Sequence, residues 1–173
     1  TGWMKQRIEL LIKNDINLFA YHLPLDAHPE LGNNAQLGLQ LGWTADARFG
    51  EQDLGFIGSV EAQMPAAISA QIQQVLGRSV TLVTGENPRP IRRMAWCTGG
   101  AQGFFEAAIT AGADAFLTGE ISEPQAHLAR ETGVSFMAAG HHATERYGAP
   151  AVAALVAQQL GVEHAFIEID NPA

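Results

Sequence analysis

The second half of the chain shows a regular alternation between two hydrophobic patterns. Short apolar runs, typical of buried strands, alternate with longer segments in which apolar side chains recur at helical spacing. The apolar runs predict strands over residues 79–83, 91–98, 114–120, 134–140 and 164–169. The intervening segments predict helices over residues 102–112, 123–133 and 143–161. Such alternation is typical of an α/β fold with a mostly parallel sheet and helices on both faces.

The first half is less regular but follows the same rules. Residues 3–14 carry apolar side chains at helical spacing, and residues 16–22 form a short apolar run that predicts a buried strand ending at His22. Residues 23–42 are predicted to form a polar loop and then a helix, because glycine follows the last apolar position. Residues 44–60 alternate weakly, which favours a hairpin, and residues 64–77 predict a helix that begins at a proline and ends at a glycine.

Composition narrows the class of protein. The chain has 173 residues, 47% of them hydrophobic, which is enough to bury a core. The formal net charge of −8 argues against a broad nucleic-acid-binding surface, and no apolar run is long enough to span a bilayer. A single cysteine excludes an internal disulfide, so we expect a cytoplasmic protein.

In α/β sheets, ligands bind beyond the carboxyl ends of the strands. Three predicted strands end in polar or glycine residues, in the sequences CTGG, LTGE and AGHH. In the last of these, His141 and Glu145 are four residues apart and would share one helical face. That pair can bind a divalent metal, but the spacing alone favours a simpler interpretation, a histidine at a helix start beside a first-turn glutamate that complements the helix dipole.

A second polar cluster follows the predicted strand at residues 16–22. His22, Asp26 and His28 lie in or next to a loop, where such side chains suit metal binding or acid–base catalysis. Aspartate and the two prolines of this loop also suit simple turns. The presence of two such clusters in a chain with six histidines favours the metal interpretation.

Two further features of the strand ends can each be interpreted in two ways. Glu120 can orient a ligand or act as a base, or it can cap the helix that follows. The glycine-rich sequence CTGGAQG, residues 97–103, can bind phosphate through backbone amides or form a tight turn between strand and helix. It matches neither the Walker loop nor the dinucleotide fingerprint. Cys97 lies within the strand and is expected to pack in the core.

Long stretches of the chain resemble one known family. NDINLFAYHLPLDAHPELGNNAQL and AGHHATERYGAPA resemble the NGG-one-interacting-factor-three-like family, which is also called GTP cyclohydrolase I type 2. AWCTGGAQGFFEAAITAGADAFLTGEISE and the final IEIDNPA are similar to its short bacterial members. The resemblance extends over essentially the whole chain. It implies two similar α/β lobes, of which residues 1–60 are the remainder of the first plus a connecting hairpin and residues 61–173 are the second.

The resemblance also implies a site and an assembly. By motif, Asp26 corresponds to a bridging aspartate, and His141 and Glu145 correspond to the C-terminal metal ligands. His22, Glu120 and His142 fall near this site, and His22 and Glu120 are the candidates for catalytic roles. The cofactor implied is a pair of divalent ions per subunit in the intact protein, zinc, manganese, iron or nickel, and the partners implied are other subunits of a hexameric ring.

One part of the family pattern is not matched. The family has an N-terminal histidine pair, and this chain begins beyond it, so we expect that the chain is truncated and lacks two metal ligands. The function implied is hydrolysis by metal-activated water, with a nucleotide or related small molecule as substrate. The alternative is a non-enzymatic, metal-binding scaffold or interaction protein.

Overall fold

The structure is a computed structural model that describes residues 1–173, with helices packed on both faces of one central sheet. The α-helices are α1 (Gly2–Lys13), α2 (Leu23–Asp26), α3 (Asn33–Leu41), α4 (Pro65–Leu76), α5 (Phe105–Thr110), α6 (Glu123–Thr132), α7 (His141–Glu145) and α8 (Gly148–Leu160). The strands are β1 (Ala47–Phe49), β2 (Gly55–Gln63), β3 (Thr81–Val83), β4 (Ile91–Trp96), β5 (Ala115–Thr118) and β6 (Ser135–Ala138). The predicted α/β class is confirmed.

The six strands form a mixed sheet in the order β1-β2-β4-β5-β6-β3. Only the central strands β4, β5 and β6 are parallel, whereas β1 with β2, β2 with β4 and β3 with β6 are antiparallel. The prediction of a mostly parallel sheet is therefore correct for this centre and wrong for its flanks. The link between β1 and β2 is too short for the crossover that parallel neighbours require, so these strands form a hairpin.

Side chains of the sheet alternate between two hydrophobic cores. On one face, Met94 and Trp96 of β4 pack with the apolar sides of α3 and α4. On the other face, Ala95 and Cys97 pack with Phe105 of α5 and with α6. Because successive residues of a strand point to opposite faces, one continuous apolar run serves both cores. This explains why residues 91–98 lack the polar alternation of a half-exposed strand.

Two predicted strands are absent. Residues 16–22 and 164–169 have no regular secondary structure, and no strand lies beside either segment. Their apolar side chains are exposed, including Phe19 and Ile167, which are 77% and 78% exposed. Apolar composition alone does not make a strand, because the backbone groups of a strand need a hydrogen-bonding partner. Helix α1 is confirmed, but its apolar side, including Met4 and Ile8, is likewise exposed.

The single helix predicted over residues 143–161 is two helices. Helix α7 ends at Glu145, and α8 begins at Gly148. Pro150 explains the break, because inside a continuous helix its ring would clash with the carbonyl of Arg146 and it has no amide hydrogen to donate. The proline lies instead in the first turn of α8, where neither problem arises. The break confines His141 and Glu145 to a short helix directly after β6.

The domain boundary predicted at residue 60 falls within β2, which pairs with β4. The hairpin before that boundary is therefore part of the same sheet as the later strands, and the division into two lobes stays a prediction. None of the helices has both the length and the apolar character needed to cross a membrane.

Candidate functional site

Three glycine-containing loops meet at the carboxyl ends of the parallel strands. Gly119 donates its amide hydrogen to Gly99 O at 2.9 Å, and Gly140 donates to Gly119 O at 2.8 Å. Thr144 of α7 completes the contact, because its hydroxyl accepts a hydrogen bond from Gly99 N at 3.0 Å. The strand ends CTGG, LTGE and AGHH, which the sequence marks as candidate ligand loops, are thus bound directly to one another.

His141 lies between two carboxylates at this junction. Its Nδ1 is 2.6 Å from Glu120 Oε1, and its Nε2 is 3.1 Å from Glu145 Oε2. The contact with Glu145 follows from helical geometry, since residues four apart share one face of α7. The contact with Glu120 depends on the neighbouring positions of β5 and β6. The capping alternative for Glu120 is wrong, because the residue that precedes α6 as its N-cap is Ser122.

Asp26 reaches the same region from the other half of the chain. It ends the short helix α2 and is 7% exposed, and Asn33 Nδ2 donates a hydrogen bond to its Oδ1 at 2.7 Å. His22 immediately precedes α2. His28 has a different role, because its Nδ1 accepts hydrogen bonds from the amides of residues 30 and 31 and so stabilises the turn before α3.

Four of the five predicted site residues line one cavity of about 430 Å³. The four are His22, Asp26, His141 and Glu145. Glu120 does not line the cavity but contacts His141 Nδ1. The other lining residues come from helices α2 and α3, from the segment before β2 and from the segment after β4, and they are Leu23, Asn34, Glu51, Gln52, Leu54, Cys97, Thr98, Gly100, Ala101 and Phe104. No lysine or arginine lines the cavity, so its charged side chains are acidic apart from the histidines.

The surroundings shift the pKa values of the site residues in different directions. The hydrogen bond to Glu120 raises the pKa of His141, and Glu145 adds to this effect. The same hydrogen bond lowers the pKa of Glu120. Burial raises the pKa of Glu145 and outweighs the opposing attraction of His141, while the charge of Asp26 raises it further. Glu145 and Asp26 are therefore close enough for their charges to interact.

The described geometry fits part of a metal site. Two donors on one ion at about 2.0–2.2 Å lie roughly 3.0–3.5 Å apart, so the 3.1 Å between His141 Nε2 and Glu145 Oε2 suits a shared metal. With a metal bound, the Glu120 carboxylate would accept from Nδ1–H and leave the Nε2 lone pair for the ion, as in other carboxylate–histidine–metal arrangements. Without the metal, a protonated Nε2 can donate to Glu145. No group of three His, Cys, Asp or Glu side chains has the arrangement of a complete site, so the full ligand set stays a prediction.

Comparison with known proteins decides the family. The family described as Duf34/NIF3 (NGG1p interacting factor 3) matches residues 1–172. The chain belongs to the DUF34/NIF3 family. The resemblance stated from the sequence motifs is thereby confirmed.

Curated relatives in this family are named "GTP cyclohydrolase 1 type 2 homolog". The relative from Neisseria meningitidis serogroup A is 55% identical over 174 residues, which cover 100% of this chain and 70% of the relative. The relative from Pseudomonas aeruginosa is 49% identical and covers 99% and 69%, respectively. This chain therefore spans about 70% of the length of these relatives.

Solved structures confirm the fold. A structure described as "protein ybgI, unknown function" is 44% identical, with a TM-score of 0.94, and covers 100% of this chain and 70% of that one. The protein TTHA1606 from Thermus thermophilus is 28% identical, with a TM-score of 0.87 over 100% of this chain and 69% of its own. The DUF34/NIF3 fold is thus shared over the whole described chain.

Several site residues of this DUF34/NIF3 protein were not identified from the sequence. Asn33, Asn34 and Thr144 are buried and hold site loops, but an asparagine pair at a helix start and a threonine within a helix are common features that indicate no particular site. The expectation that Cys97 packs in the core is confirmed. Burial, with Asp26 nearby, raises the pKa of this thiol to about 12, so it is protonated at neutral pH and is a poor nucleophile or metal ligand.

We predict a pH window for the stabilising contact between Glu120 and His141 in metal-free protein. The raised pKa of His141 gives stabilisation that is complete below its ordinary value of 6.5 and is lost as the pH rises through the raised value. The lowered pKa of Glu120 gives stabilisation that is complete above 4.5 and is lost as the pH falls through the lowered value. Glu120→Gln should therefore lower the melting temperature most between pH 4.5 and pH 6.5, where both contributions are complete.

Both side chains are nearly half exposed, so solvent screening limits the expected difference to about 1–4 °C. Thermal unfolding with chelator across this pH range measures it. Glu123→Gln is the matched control, because Glu123 is 3.9 Å from His127 in a more exposed pair. A Glu120→Gln difference that does not vary with pH would show that the two groups are not ionically paired.

Proposed function

We propose that this protein is a dinuclear-metal-binding hydrolase that acts on a nucleotide or a related small molecule. The observation that carries the proposal is the pairing of His141 Nε2 with Glu145 at 3.1 Å in a cavity that Asp26 also lines. Imidazole and carboxylate donors suit zinc, manganese, iron or nickel. When bound, such ions supply Lewis acidity and lower the pKa of water towards neutrality.

Each site residue has a distinct task in this proposal. His141, Glu145 and Asp26 hold the metal ions, with Asp26 in the bridging position that the family resemblance implies. Glu120 keeps the Nδ1 proton of His141 in place, which directs Nε2 into the cavity. His22 lies at the rim of the cavity, where it can exchange a proton with a bound substrate. The partly buried carboxyl of Glu145 favours a cation beside it, since burial penalises an uncompensated negative charge.

The cavity constrains how a nucleotide would bind. No lysine or arginine lines it, so in the described chain a phosphate group has no cationic side chain to contact. A nucleotide phosphate would have to be neutralised by the metal ions, or would have to point out of the cavity. The relatives' name favours a purine substrate, for which ring opening by water is the implied reaction.

Turnover by the full-length protein tests the proposal. GTP and other nucleotides are incubated with protein loaded with zinc, manganese, iron or nickel, and product formation is compared with chelator-treated protein. We expect turnover that depends on metal and returns when metal is restored. If no nucleotide is turned over with any metal although metal binds, the scaffold function becomes the better conclusion.

The second candidate, a metal-binding scaffold, is favoured by exposed apolar side chains near the chain ends. They include Trp3, Ile12, Leu18, Phe19 and Ile167, each at least 62% exposed. Such surfaces usually contact another protein or another part of the same protein. The resemblance implies that the partners are further subunits in a hexameric ring. The proposed location is cytoplasmic, which the single buried cysteine supports.

We expect the full-length protein to be a homo-oligomer. The exposed apolar surface of the described chain is unfavourable in water and would be covered by neighbouring subunits. Light scattering coupled to size-exclusion chromatography should give a mass several times that of one subunit. A monomer at micromolar concentration would contradict the ring and would weaken the scaffold candidate more than the hydrolase.

A further inference from the structure

Asn33 connects the two halves of the candidate site through its side chain. Its Nδ2 donates a hydrogen bond to Asp26 Oδ1 at 2.7 Å, and its Oδ1 accepts one from the backbone amide of Gly148 at 2.8 Å. Gly148 lies 115 positions later in the chain and begins α8. The side chain is 8% exposed, so water competes little for either contact.

The two contacts leave one orientation for the Asn33 amide group. A backbone N–H can only donate, so the atom that faces Gly148 must be the carbonyl oxygen. The amide nitrogen therefore faces Asp26, and Asp26 must accept, which an ionised carboxylate does with either oxygen. One oxygen of Asp26 is held by Asn33, and the carboxylate keeps lone pairs on both oxygens for other ligands.

Asn34 fixes the backbone around the same carboxylate. Its Nδ2 donates to the carbonyl oxygens of Asp26 and Leu54, and its Oδ1 accepts from the amide of Thr98 at 2.8 Å. The side chain is fully buried. Because Asn34 holds the Asp26 backbone, the remaining freedom of Asp26 is the rotation of its side chain, which the Asn33 contact restricts.

The contact at Gly148 links this arrangement to Glu145. Gly148 follows the two-residue break after α7, the helix that carries His141 and Glu145. The approach is close, since a Cβ atom on Gly148 would lie 2.7 Å from Asn33 Oδ1. A shift of Asn33 would therefore displace both the Asp26 carboxylate and the start of α8.

We propose that Asn33 is a positioning residue that fixes the Asp26 carboxylate at a set distance from His141 and Glu145. This inference rests on the proposed metal site, and it adds a residue whose own side chain does not line the cavity. The physical reason is that metal ligands on separate elements bind well only if their spacing is set before the ion arrives. Outer-shell partners of this kind contribute 10–100-fold to metal affinity or activity in other proteins.

Metal titration of the full-length protein tests the proposal. Zn²⁺ affinity is measured by chelator competition, and the geometry of the site by the visible absorption spectrum of bound Co²⁺. We expect Asn33→Ala to weaken Zn²⁺ binding by about 10–100-fold and to change the Co²⁺ spectrum. Asn33→Asp is a second variant that can be measured if the alanine variant does not fold. It keeps an acceptor for Gly148 but loses the donor that faces Asp26, so it should also change the Co²⁺ spectrum.

The control separates positioning from general loss of stability. Asp114 lies just before β5, away from the strand ends of the site, and accepts hydrogen bonds from the amides of Arg92 and Arg93. Asp114→Ala should lower the melting temperature and leave the Zn²⁺ affinity and the Co²⁺ spectrum unchanged. Asn33 variants that keep the wild-type affinity and spectrum would overturn the positioning role while the metal site stands.

A metal-free measurement covers the case in which the wild-type protein binds no metal, which would overturn the proposed function. Urea unfolding of Asn33→Ala, Asp26→Ala and the double variant forms a double-mutant cycle. If Asn33 holds Asp26, the effects on the unfolding constant should be non-additive by more than about twofold. Additive effects would overturn the proposal whether or not metal binds.

Discussion

Glu145→Ala is expected to lower divalent-metal affinity by at least about 10–100-fold and to remove metal-dependent turnover. The loss follows from removing an oxygen donor 3.1 Å from His141 Nε2, together with the negative charge that attracts the cation. Asp26→Ala should have an effect of the same size, because the two carboxylates line one cavity and their charges interact. Isothermal titration with Zn²⁺ and turnover assays on full-length protein measure both consequences.

His142→Ala is the matched control for these two variants. His142 follows His141 directly, but its Nε2 lies 3.3 Å from Glu168 and the residue does not line the cavity. Adjacent helical residues point about 100° apart, so the substitution should leave metal affinity close to that of the wild type. Wild-type affinity in both carboxylate variants would show that the metal binds elsewhere, and wild-type turnover would assign the activity to another site.

Gly99→Ala is expected to damage both stability and metal binding. Gly99 has a φ of +70°, and a Cβ atom there would collide with the Glu145 carboxylate and lie 3.1 Å from His141 Nε2. The left-handed backbone costs an alanine about 1–2 kcal/mol, and crowding in a packed site typically adds about 1–3 kcal/mol. Because the crowded atoms are the predicted ligands, metal affinity should fall by at least about tenfold as well.

Gly77→Ala separates the cost of the left-handed backbone from the cost of crowding by the added Cβ atom. Gly77 ends α4 with a φ of +72°, and a Cβ atom there would meet nothing within 4 Å. This variant should show the backbone cost alone and keep the wild-type affinity for metal. Urea unfolding and Zn²⁺ titration of both variants give the comparison. Equal losses of stability with equal affinities would show that Glu145 and His141 do not lie against Gly99.

The local chemistry of the sequence determined most of the helices. Helix α4 was predicted over residues 64–77 and extends over Pro65–Leu76, because proline suits a first turn and glycine suits the left-handed residue that ends a helix. The break at Pro150 was also encoded locally and was missed, since the apolar pattern continues through it. The shared face of His141 and Glu145 follows from their spacing of four residues.

Strand formation was decided by tertiary structure. Residues 16–22 and 134–140 are both apolar runs, yet only the second contains a strand, because it lies between two hydrogen-bonding partners. The first has none in the described chain. A helix satisfies its backbone within one segment, whereas a strand depends on a partner that can be distant in sequence, so local patterns predict helices more securely.

The candidate site shows the same division between what the sequence predicts and what the tertiary structure decides. The sequence by itself marked His22, Asp26, Glu120, His141 and Glu145 as candidates, because imidazole and carboxylate groups after strands suit metal binding. Only the tertiary structure decided that four of them share a cavity and that Glu120 accepts from His141 instead of capping α6. It alone identified Asn33, whose partner Gly148 lies 115 positions away. The physical reason is that a buried amide group must satisfy both its donor and its acceptor, and folding determines which groups are within reach.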